Sequence, residues 1–191
     1  MISRALTPSQ TAGPFFHSGL LRDPLNTLTT EQTRGERIRL EGYVYDGDRT
    51  GVSDALVEIW QANAAGRYRH PADLRPVPLD PAFVGFGRAG TDEHGFYAFE
   101  TIKPGPVPFD PHKTQAPHIG VCVSARGLLD HLRTRVYFDD EHANRDDPVL
   151  ELVPEPRRPT LLARRRTVED QTVYRFDIVL QGDQETVFFE L

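Results

Sequence analysis

Side chains that could do chemistry occur along the sequence, but few stand at spacings that specify a site. The 191 residues include seven histidines and one cysteine, and no two histidines stand at close metal-ligand spacing. The cysteine, Cys122, lies in the apolar run 119–123, where cysteine behaves as a small hydrophobic residue. The sequence also lacks a glycine-rich phosphate loop, an HExxH pair and a GxSxG elbow. None of the reaction classes that depend on these motifs is indicated.

The informative motifs are short segments rich in aromatic residues and glycine. They comprise 40–46, 56–63, Gly66-Arg67-Tyr68, Gly87-Arg88, Gly95-Phe96-Tyr97, 101–106, 116–119 and 174–178. In order and spacing, these segments resemble the signature of the intradiol ring-cleaving dioxygenases. Those iron enzymes split catechols between the two hydroxylated carbons. The resemblance covers essentially the whole chain after about residue 35.

The resemblance implies a ferric centre held by two tyrosinates and two imidazoles, and only part of that set is present. Tyr68 matches the first tyrosinate, and His118 matches the first imidazole. Val107 and Gly120 stand at the other two ligand positions, and Gln115 replaces the family's arginine. Valine and glycine side chains cannot coordinate iron, and two donors of four should not hold it. The chain is therefore expected to bind no metal and to hold no catalytic residue, with Tyr68 and His118 as remnants.

Further segments resemble the iron-free subunit of one branch of the family, in which a homologous β subunit carries Fe(III). These segments are 7–15, 124–127, 134–141 and 185–191. The resemblance implies a hetero-oligomer that cleaves 3,4-dihydroxybenzoate with O2 to 3-carboxy-cis,cis-muconate. This chain would complete the partner's substrate pocket at the interface of the two subunits.

The residues expected to line that pocket are Thr11, Gly13, Pro14, Phe15 and Arg126. A cation near the pocket mouth would favour an anionic substrate, which is the hypothesis for Arg126. The family often has tyrosine where Phe15 stands, so any contact through a phenol hydroxyl is lost. Apolar aromatic residues are expected to bury part of the subunit interface. The candidates are Phe15, Phe16, Phe83, Phe86, Phe188 and Phe189.

The elements that must position these residues are predicted to be short strands, because sixteen prolines and fifteen glycines are spread along the chain. Strands are predicted near 38–45, 56–60, 96–102, 118–125, 131–138, 173–180 and 186–191. Gly42 is expected to mark a change of face in the first strand. Short helices are predicted at 139–144 and 160–166, the second capped by Thr160. Residues 61–90 and 103–117 are predicted to be irregular.

This pattern predicts an all-β fold, a β-sandwich with long loops and a few short helices. We expect a single domain over residues 1–191. An N-terminal arm would span residues 1–35, and the sandwich core would span residues 36–191.

Composition excludes several classes of partner. A net charge of −6 and a pI near 5.6 argue against nucleic-acid binding, which needs a basic surface. No apolar run approaches the ~20 residues that a membrane-spanning helix requires. A lone cysteine and the lack of a signal sequence predict a cytoplasmic protein.

Two other functions are compatible with the sequence. The chain could be a self-sufficient intradiol enzyme for another catechol, but its six tyrosines offer no plausible second tyrosinate. It could also be a β-sandwich interaction module without enzymatic activity, since sandwiches carry many unrelated functions.

Overall fold

The computed structural model describes residues 7–21 and 25–190 and consists largely of β strands. The strands are β1 (Arg37–Tyr45), β2 (Leu56–Trp60), β3 (Phe86–Gly90), β4 (Phe96–Ile102), β5 (Val107–Pro108), β6 (Thr114–Gln115), β7 (His118–Ser124), β8 (Leu132–Phe138), β9 (Leu162–Val168), β10 (Gln171–Arg175) and β11 (Ile178–Val179). One α-helix is described, α1 (Pro14–Leu20), together with 3₁₀ helices at His142–Asp146, Leu150–Leu152 and Glu155–Leu161. In the described part of the chain, no helix is both long and apolar enough to cross a membrane.

Nine strands form one sheet that almost closes on itself. Its order is β11-β1-β10-β9-β8-β7-β2-β3, and β4 pairs with β1 outside that path. Isolated bridges from Leu25 to Arg88 in β3 and from Thr27 to Glu100 in β4 span the remaining gap. Side chains from both halves of the sheet share one core, which includes Leu40, Val57, Ile119 and Tyr174. The predicted all-β fold is confirmed.

The first strand keeps one buried face along its whole length, so the predicted change of face at Gly42 is wrong. Ile38, Leu40, Gly42 and Val44 are all buried, in strict alternation with less buried neighbours. A Cβ added at Gly42 would lie 1.8 Å from the Phe176 carbonyl oxygen. The glycine is therefore required for close approach of two backbones and does not interrupt the pleat.

The helix predicted at 160–166 is also wrong, because a strand occupies most of that segment. The 3₁₀ helix ends at Leu161, and β9 then pairs antiparallel with β10, placing Arg166 opposite Val173. Thr160 donates through Oγ1 to the Arg157 carbonyl oxygen at 2.8 Å, so it closes the 3₁₀ helix and caps no following helix. Cross-strand pairing has overridden a local helical preference.

Other boundaries also differ from the sequence-based expectations. The helix expected at 139–144 is a 3₁₀ helix that starts at His142, with Glu141 as its N-cap. Strand β3 lies inside 61–90, which was predicted to be irregular, and residues 186–190 form no strand. Strand β3 forms through its pairing with β2, in which Phe86 lies opposite Trp60, and local periodicity does not reveal such a pairing.

Candidate functional site

Tyr68, His118 and Gly120 stand at three of the four positions where the resemblance places iron ligands. All three line a cavity of about 370 Å³ on the outer face of β2, β7 and β8. We call it the Gly120 cavity. Its lining includes Trp60, Tyr68, Phe86, His118, Gly120 and Arg135. The alternation of β7 places Ile119, Val121 and Val123 in the core. Gly120 and Cys122 therefore face the opposite side and line the cavity.

Tyr68 forms one wall of the Gly120 cavity by stacking on Trp60. The two ring centroids are 5.9 Å apart and the planes differ by 10°. The Tyr68 backbone N–H donates to Asp73 Oδ2 at 2.9 Å, which fixes the loop that carries the phenol. Burial raises the pKa of the Tyr68 phenol, and the charges of Arg135 and Arg75 offset this only in part. Tyr68 is therefore a neutral phenol at neutral pH.

His118 is 5% exposed at the start of β7. Its Nδ1 lies 2.7 Å from the Ala116 carbonyl oxygen. Because a carbonyl can only accept, Nδ1 carries the proton and Nε2 keeps a lone pair. Burial lowers the pKa of this imidazole, and the positive charge of Arg135 lowers it further. His118 is thus a neutral imidazole of fixed tautomer.

The segment that leads into His118 is held by a buried carboxylate. Asp147 is fully buried and accepts the Ala116 backbone N–H at 2.7 Å. It also accepts the backbone N–H groups of Val149 and Leu150 and the Tyr137 hydroxyl. Four donors satisfy this carboxylate, so the backbone next to His118 is rigidly placed.

Gly120, one of the positions expected to have lost an iron ligand, explains how the cavity arises. Gly120 pairs with Trp60 on β2 and with Arg135 on β8. A Cβ built at Gly120 would have one neighbour within 4 Å, the Trp60 carbonyl oxygen at 3.3 Å. The missing side chain at Gly120 therefore leaves open space between the side chains of its two neighbours.

The other two altered positions lie to one side of the Gly120 cavity. Val107 is buried in β5 and lines a neighbouring cavity of about 680 Å³, which shares the Trp60 and Tyr68 wall. Gln115, opposite Val107 in β6, donates to the Pro108 carbonyl oxygen at 3.4 Å. Its Oε1 accepts from Arg135 Nη1 at 2.7 Å.

Arg135 is the residue of this site that the sequence analysis missed. Its guanidinium lies close enough to Tyr68, His118 and Tyr137 to influence the pKa of all three. The alternation of the predicted strand 131–138 was the available signal, since it puts Arg133 and Arg135 on one face. That signal did not show which neighbouring strands this face would meet.

The residues present do not make the donor set that ferric iron requires. A hard trivalent cation needs anionic oxygen ligands, and of the family's four ligand positions only Tyr68 could supply one, because Val107 and Gly120 offer no donor. In residues 7–21 and 25–190, no group of three or more His, Cys, Asp or Glu side chains could hold a metal ion. The guanidinium of Arg135 would also repel a cation bound beside Tyr68 and His118.

The residues predicted to line a partner's pocket lie on the N-terminal arm and on the turn after β7, and we call them the arm cluster (Thr11, Gly13, Pro14, Phe15 and Arg126). Thr11 Oγ1 accepts the Gly127 backbone N–H at 2.7 Å, which ties the N-terminal arm to the turn after β7. Arg126, on the same turn, is paired with Asp54 and keeps 65% of its side chain exposed. Pro14 is the first residue of α1, and Phe15 is 85% exposed.

The arm cluster is separate from the Gly120 cavity. His118 begins β7, while Arg126 lies two residues beyond its last residue. A seven-residue strand is about 20 Å long, so the two sites lie at opposite ends of β7. The structure therefore does not bring the arm cluster to this chain's own Tyr68 and His118.

The aromatic residues predicted for an interface divide into two groups. Phe15 and Phe16 are exposed on α1, as an interface would require. Phe83 is buried in the core, Phe188 packs against the core, and Phe86 is a partly buried wall of the Gly120 cavity. Phe189 packs against the smaller cluster around Leu150. For Phe83 the prediction is wrong, because the core covers it. For Phe86, Phe188 and Phe189, which are partly buried, it stays a prediction.

Cys122, expected to behave as a small hydrophobic residue and not as a nucleophile, lies on the cavity side of β7. It is half-buried and faces the Gly120 cavity. Burial raises the pKa of its thiol. The thiol is therefore protonated at neutral pH and remains a poor nucleophile, as expected.

Known proteins with the same pattern were found by sequence and by structure. A family model described as dioxygenase matches residues 11–182. The protocatechuate 3,4-dioxygenase alpha chain of Pseudomonas putida is 44% identical over an alignment that covers 96% of this chain and 96% of that protein. The protocatechuate 3,4-dioxygenase beta chain of Burkholderia cepacia is 40% identical over 84% of this chain and 71% of that protein.

A solved structure shares the fold over nearly the full length. The dioxygenase domain of a dioxygenase and carbohydrate-binding protein fusion from Streptomyces sp. SirexAA-E has a TM-score of 0.65 and 28% identity. The alignment covers 95% of this chain and 99% of that domain. With the family match, the fold and the partly retained ligand positions, this chain belongs to the intradiol ring-cleaving dioxygenase family.

Proposed function

We propose that this chain is the α subunit of a protocatechuate 3,4-dioxygenase and binds no iron itself. The Fe(III) of the enzyme would lie in a homologous β subunit. The pair would cleave 3,4-dihydroxybenzoate with O2 to 3-carboxy-cis,cis-muconate. The observation that carries the proposal is the donor shortage around Tyr68 and His118, in a chain 44% identical to an alpha chain of that enzyme.

The distance between the two sites supports a role toward a partner. The arm cluster lies at the far end of β7 from Tyr68 and His118, so it cannot serve this chain's own cavity. It nevertheless presents an exposed arginine on the turn after β7 and an exposed phenylalanine on the arm that Thr11 tethers to that turn. Such a surface is suited to line a pocket that a second chain completes.

Within that pocket, Arg126 has the role that its charge allows. Its guanidinium is exposed, so it can attract the carboxylate of an anionic aromatic substrate. Asp54 fixes the direction of the side chain by pairing with Nε. Asp54 is thus a positioning residue.

Gly13 contributes space to the same pocket. A Cβ at this position would meet nothing within 4 Å in the described part of this chain. A need for glycine here would therefore come from a partner or from the substrate. The proposal includes hetero-oligomerisation through the surface around α1 and a cytoplasmic location.

Co-expression with a candidate β chain tests the proposal. We expect a stable complex with one iron per αβ pair, and turnover of 3,4-dihydroxybenzoate only when both chains are present. Two irons per pair, or turnover by this chain alone, would contradict the donor-shortage argument. A complex without iron or activity would contradict the assignment as a dioxygenase subunit.

Arg126 can be tested in the same complex. Arg126→Leu should raise the KM for 3,4-dihydroxybenzoate about tenfold or more, in keeping with a lost charge-assisted contact. Arg126→Lys should retain part of the affinity. Asp54→Asn, which keeps the guanidinium but loosens it, should have a smaller effect. An unchanged KM in Arg126→Leu would show that this arginine does not face the substrate.

A further inference from the structure

The geometry points to a second, metal-free ligand site on this chain: the Gly120 cavity binds a small aromatic carboxylate, with Arg135 pairing the carboxylate. This inference goes beyond the proposed function, since it concerns the cavity that holds no catalytic iron. It rests on the open space at Gly120 and on the guanidinium of Arg135, and it does not depend on any activity of the partner.

The shape of the cavity follows from the register of three strands. Trp60, Gly120 and Arg135 lie in one row across β2, β7 and β8. Neighbouring strands are about 4.8 Å apart, so the two outer residues of this row are separated by about 10 Å. Because Gly120 contributes no side chain, a slot remains between an indole and a guanidinium. The slot leaves room for one planar ring over the glycine.

The walls of the cavity are aromatic on the side away from Arg135. Trp60 and Tyr68 are stacked on each other, and Phe86 lies on the adjacent strand β3, opposite Trp60. The cavity volume of about 370 Å³ lies within the range of small-molecule sites. Aromatic walls with a few convergent polar groups are the usual composition of such sites. The ligand is therefore expected to contain an aromatic ring.

The charge of the lining selects an anion. Arg135 lines the cavity from the outer face of β8. Glu58 also lines it, but its carboxylate is paired with Arg88 at 2.6 Å. The guanidinium of Arg135 therefore places a positive charge beside Gly120, which favours an anionic ligand.

The Arg135 guanidinium is held by hydrogen bonds to the side chains of Gln115 and Tyr137. Its Nη1 donates to Gln115 Oε1 at 2.7 Å, which anchors one corner of the guanidinium. Gln115 stands where the resemblance places the family's arginine, and Arg135 on β8 supplies a cationic side chain beside it. A guanidinium has five N–H donors and pairs with carboxylates in a planar, two-bond geometry. A benzoate-like molecule would then insert its ring toward Trp60 and Phe86.

The test uses the full chain without a partner, in buffer that contains a metal chelator. Benzoate is the probe, and benzamide is its neutral counterpart of the same shape. Calorimetry measures binding, and fluorescence of Trp60, the one tryptophan of the chain, locates the ligand. We expect saturable binding of benzoate with a change in Trp60 emission, and at least tenfold weaker binding of benzamide.

Variants separate the role of Arg135 from general charge. Arg135→Gln should weaken benzoate binding at least tenfold, and Arg135→Lys should recover part of the loss. Arg145→Gln removes an exposed arginine in the 3₁₀ helix His142–Asp146 and should leave binding unchanged. Circular dichroism checks that each variant folds. Should Arg135→Gln not fold, the comparison of benzoate with benzamide on the unmodified chain still decides.

Three results would overturn the inference: no heat of binding with benzoate, equal affinities for benzoate and benzamide, or full affinity in a folded Arg135→Gln variant. None of these depends on the β subunit. Failure here would therefore leave the proposed function intact. Conversely, failure to form an αβ complex would not affect binding of benzoate to this chain.

Discussion

The hydroxyl of Thr11 accepts the backbone N–H of Gly127 at 2.7 Å, across 116 residues of sequence. This contact joins the N-terminal arm to the turn that carries Arg126. The resemblance implies one pocket for Thr11 and Arg126, and this hydrogen bond attaches Thr11 to the residue after Arg126. Because Gly127 has a φ of +90°, the turn is one that glycine adopts most readily.

Thr11→Val tests whether this hydrogen bond holds the arm. Valine keeps the shape of threonine but has no acceptor, so the Gly127 N–H loses its partner in this chain. We expect faster hydrogen exchange at the Gly127 amide and a loss of about 1 kcal/mol in the free energy of unfolding. Thr11→Ser retains the hydroxyl and should behave like the unmodified chain. Equal exchange rates in Thr11→Val and Thr11→Ser would show that the hydrogen bond does not restrain the arm.

Gly13→Ala separates the needs of this chain from those of a partner. The added methyl group meets nothing within 4 Å, so the melting temperature of the isolated chain should not fall. In the αβ complex, we expect kcat/KM for 3,4-dihydroxybenzoate to drop several-fold, because the methyl group would intrude on the shared pocket.

Gly19→Ala is the matched control for that experiment. Gly19 is also free of neighbours within 4 Å, but it lies near the end of α1. Alanine there should leave activity unchanged and stabilise the helix by up to about 1 kcal/mol. If both variants reduced activity equally, the effect would come from the helix and not from the pocket.

Much of the fold could be predicted from local patterns. Strands β1, β2, β4 and β7 follow a period of two almost throughout, with one face buried in a shared core. Strands β8 and β10 contain adjacent buried residues, so they alternate only in part. Strand β9 could not be predicted in this way, because Arg164, Arg165 and Arg166 are all exposed and show no alternation. That strand exists through its pairing with β10, which is a non-local contribution.

The sequence could predict only those properties of the site that depend on the chemistry of a single side chain. Val107 and Gly120 lack donor atoms in any structure, so the donor shortage follows from the sequence. The role of Arg135 required knowing that β8 lies beside β7 with Gly120 between Trp60 and Arg135. Thr11 and Arg126 were named through the resemblance, since nothing local relates residues so far apart in the chain.

Stability in acid should depend on Asp73. Arg75 donates to its carboxylate from Nε at 2.8 Å, and this hydrogen bond holds the pKa of Asp73 well below its ordinary value of 3.8. The carboxylate therefore stabilises the folded chain at neutral pH, and this contribution is lost as the pH falls through the folded-state pKa. Asp73→Asn should cost about 2 kcal/mol at neutral pH, and the difference should shrink below about pH 4.

Urea unfolding across that pH range measures the effect. Arg75→Gln provides the second arm of a double-mutant cycle, because Asp73→Asn should cost clearly less once the guanidinium is gone. A stability difference between the unmodified chain and the Asp73→Asn variant that stayed constant from neutral pH to about pH 3 would show that the charge of Asp73 is not what stabilises this loop.

The largest single loss of stability is expected at Asp147, far from any exposed surface. Its carboxylate is the acceptor for three backbone N–H groups and for the Tyr137 hydroxyl, and all of these hydrogen bonds except the partly buried one from Val149 are buried. Asp147→Ala leaves these four donors without a partner, and each buried unpaired donor costs about 1–3 kcal/mol. We expect the free energy of unfolding measured with urea to fall by at least about 3 kcal/mol. Tyr137→Phe should cost only about 1 kcal/mol, because it removes one donor and leaves the carboxylate with three.

Since Asp147 fixes the backbone at Ala116, whose carbonyl accepts from His118, the Asp147→Ala chain should also lose its affinity for benzoate in the Gly120 cavity. Equal losses of stability in the two variants would mean that water or a local rearrangement satisfies the backbone donors, and that Asp147 does not fix the segment before His118.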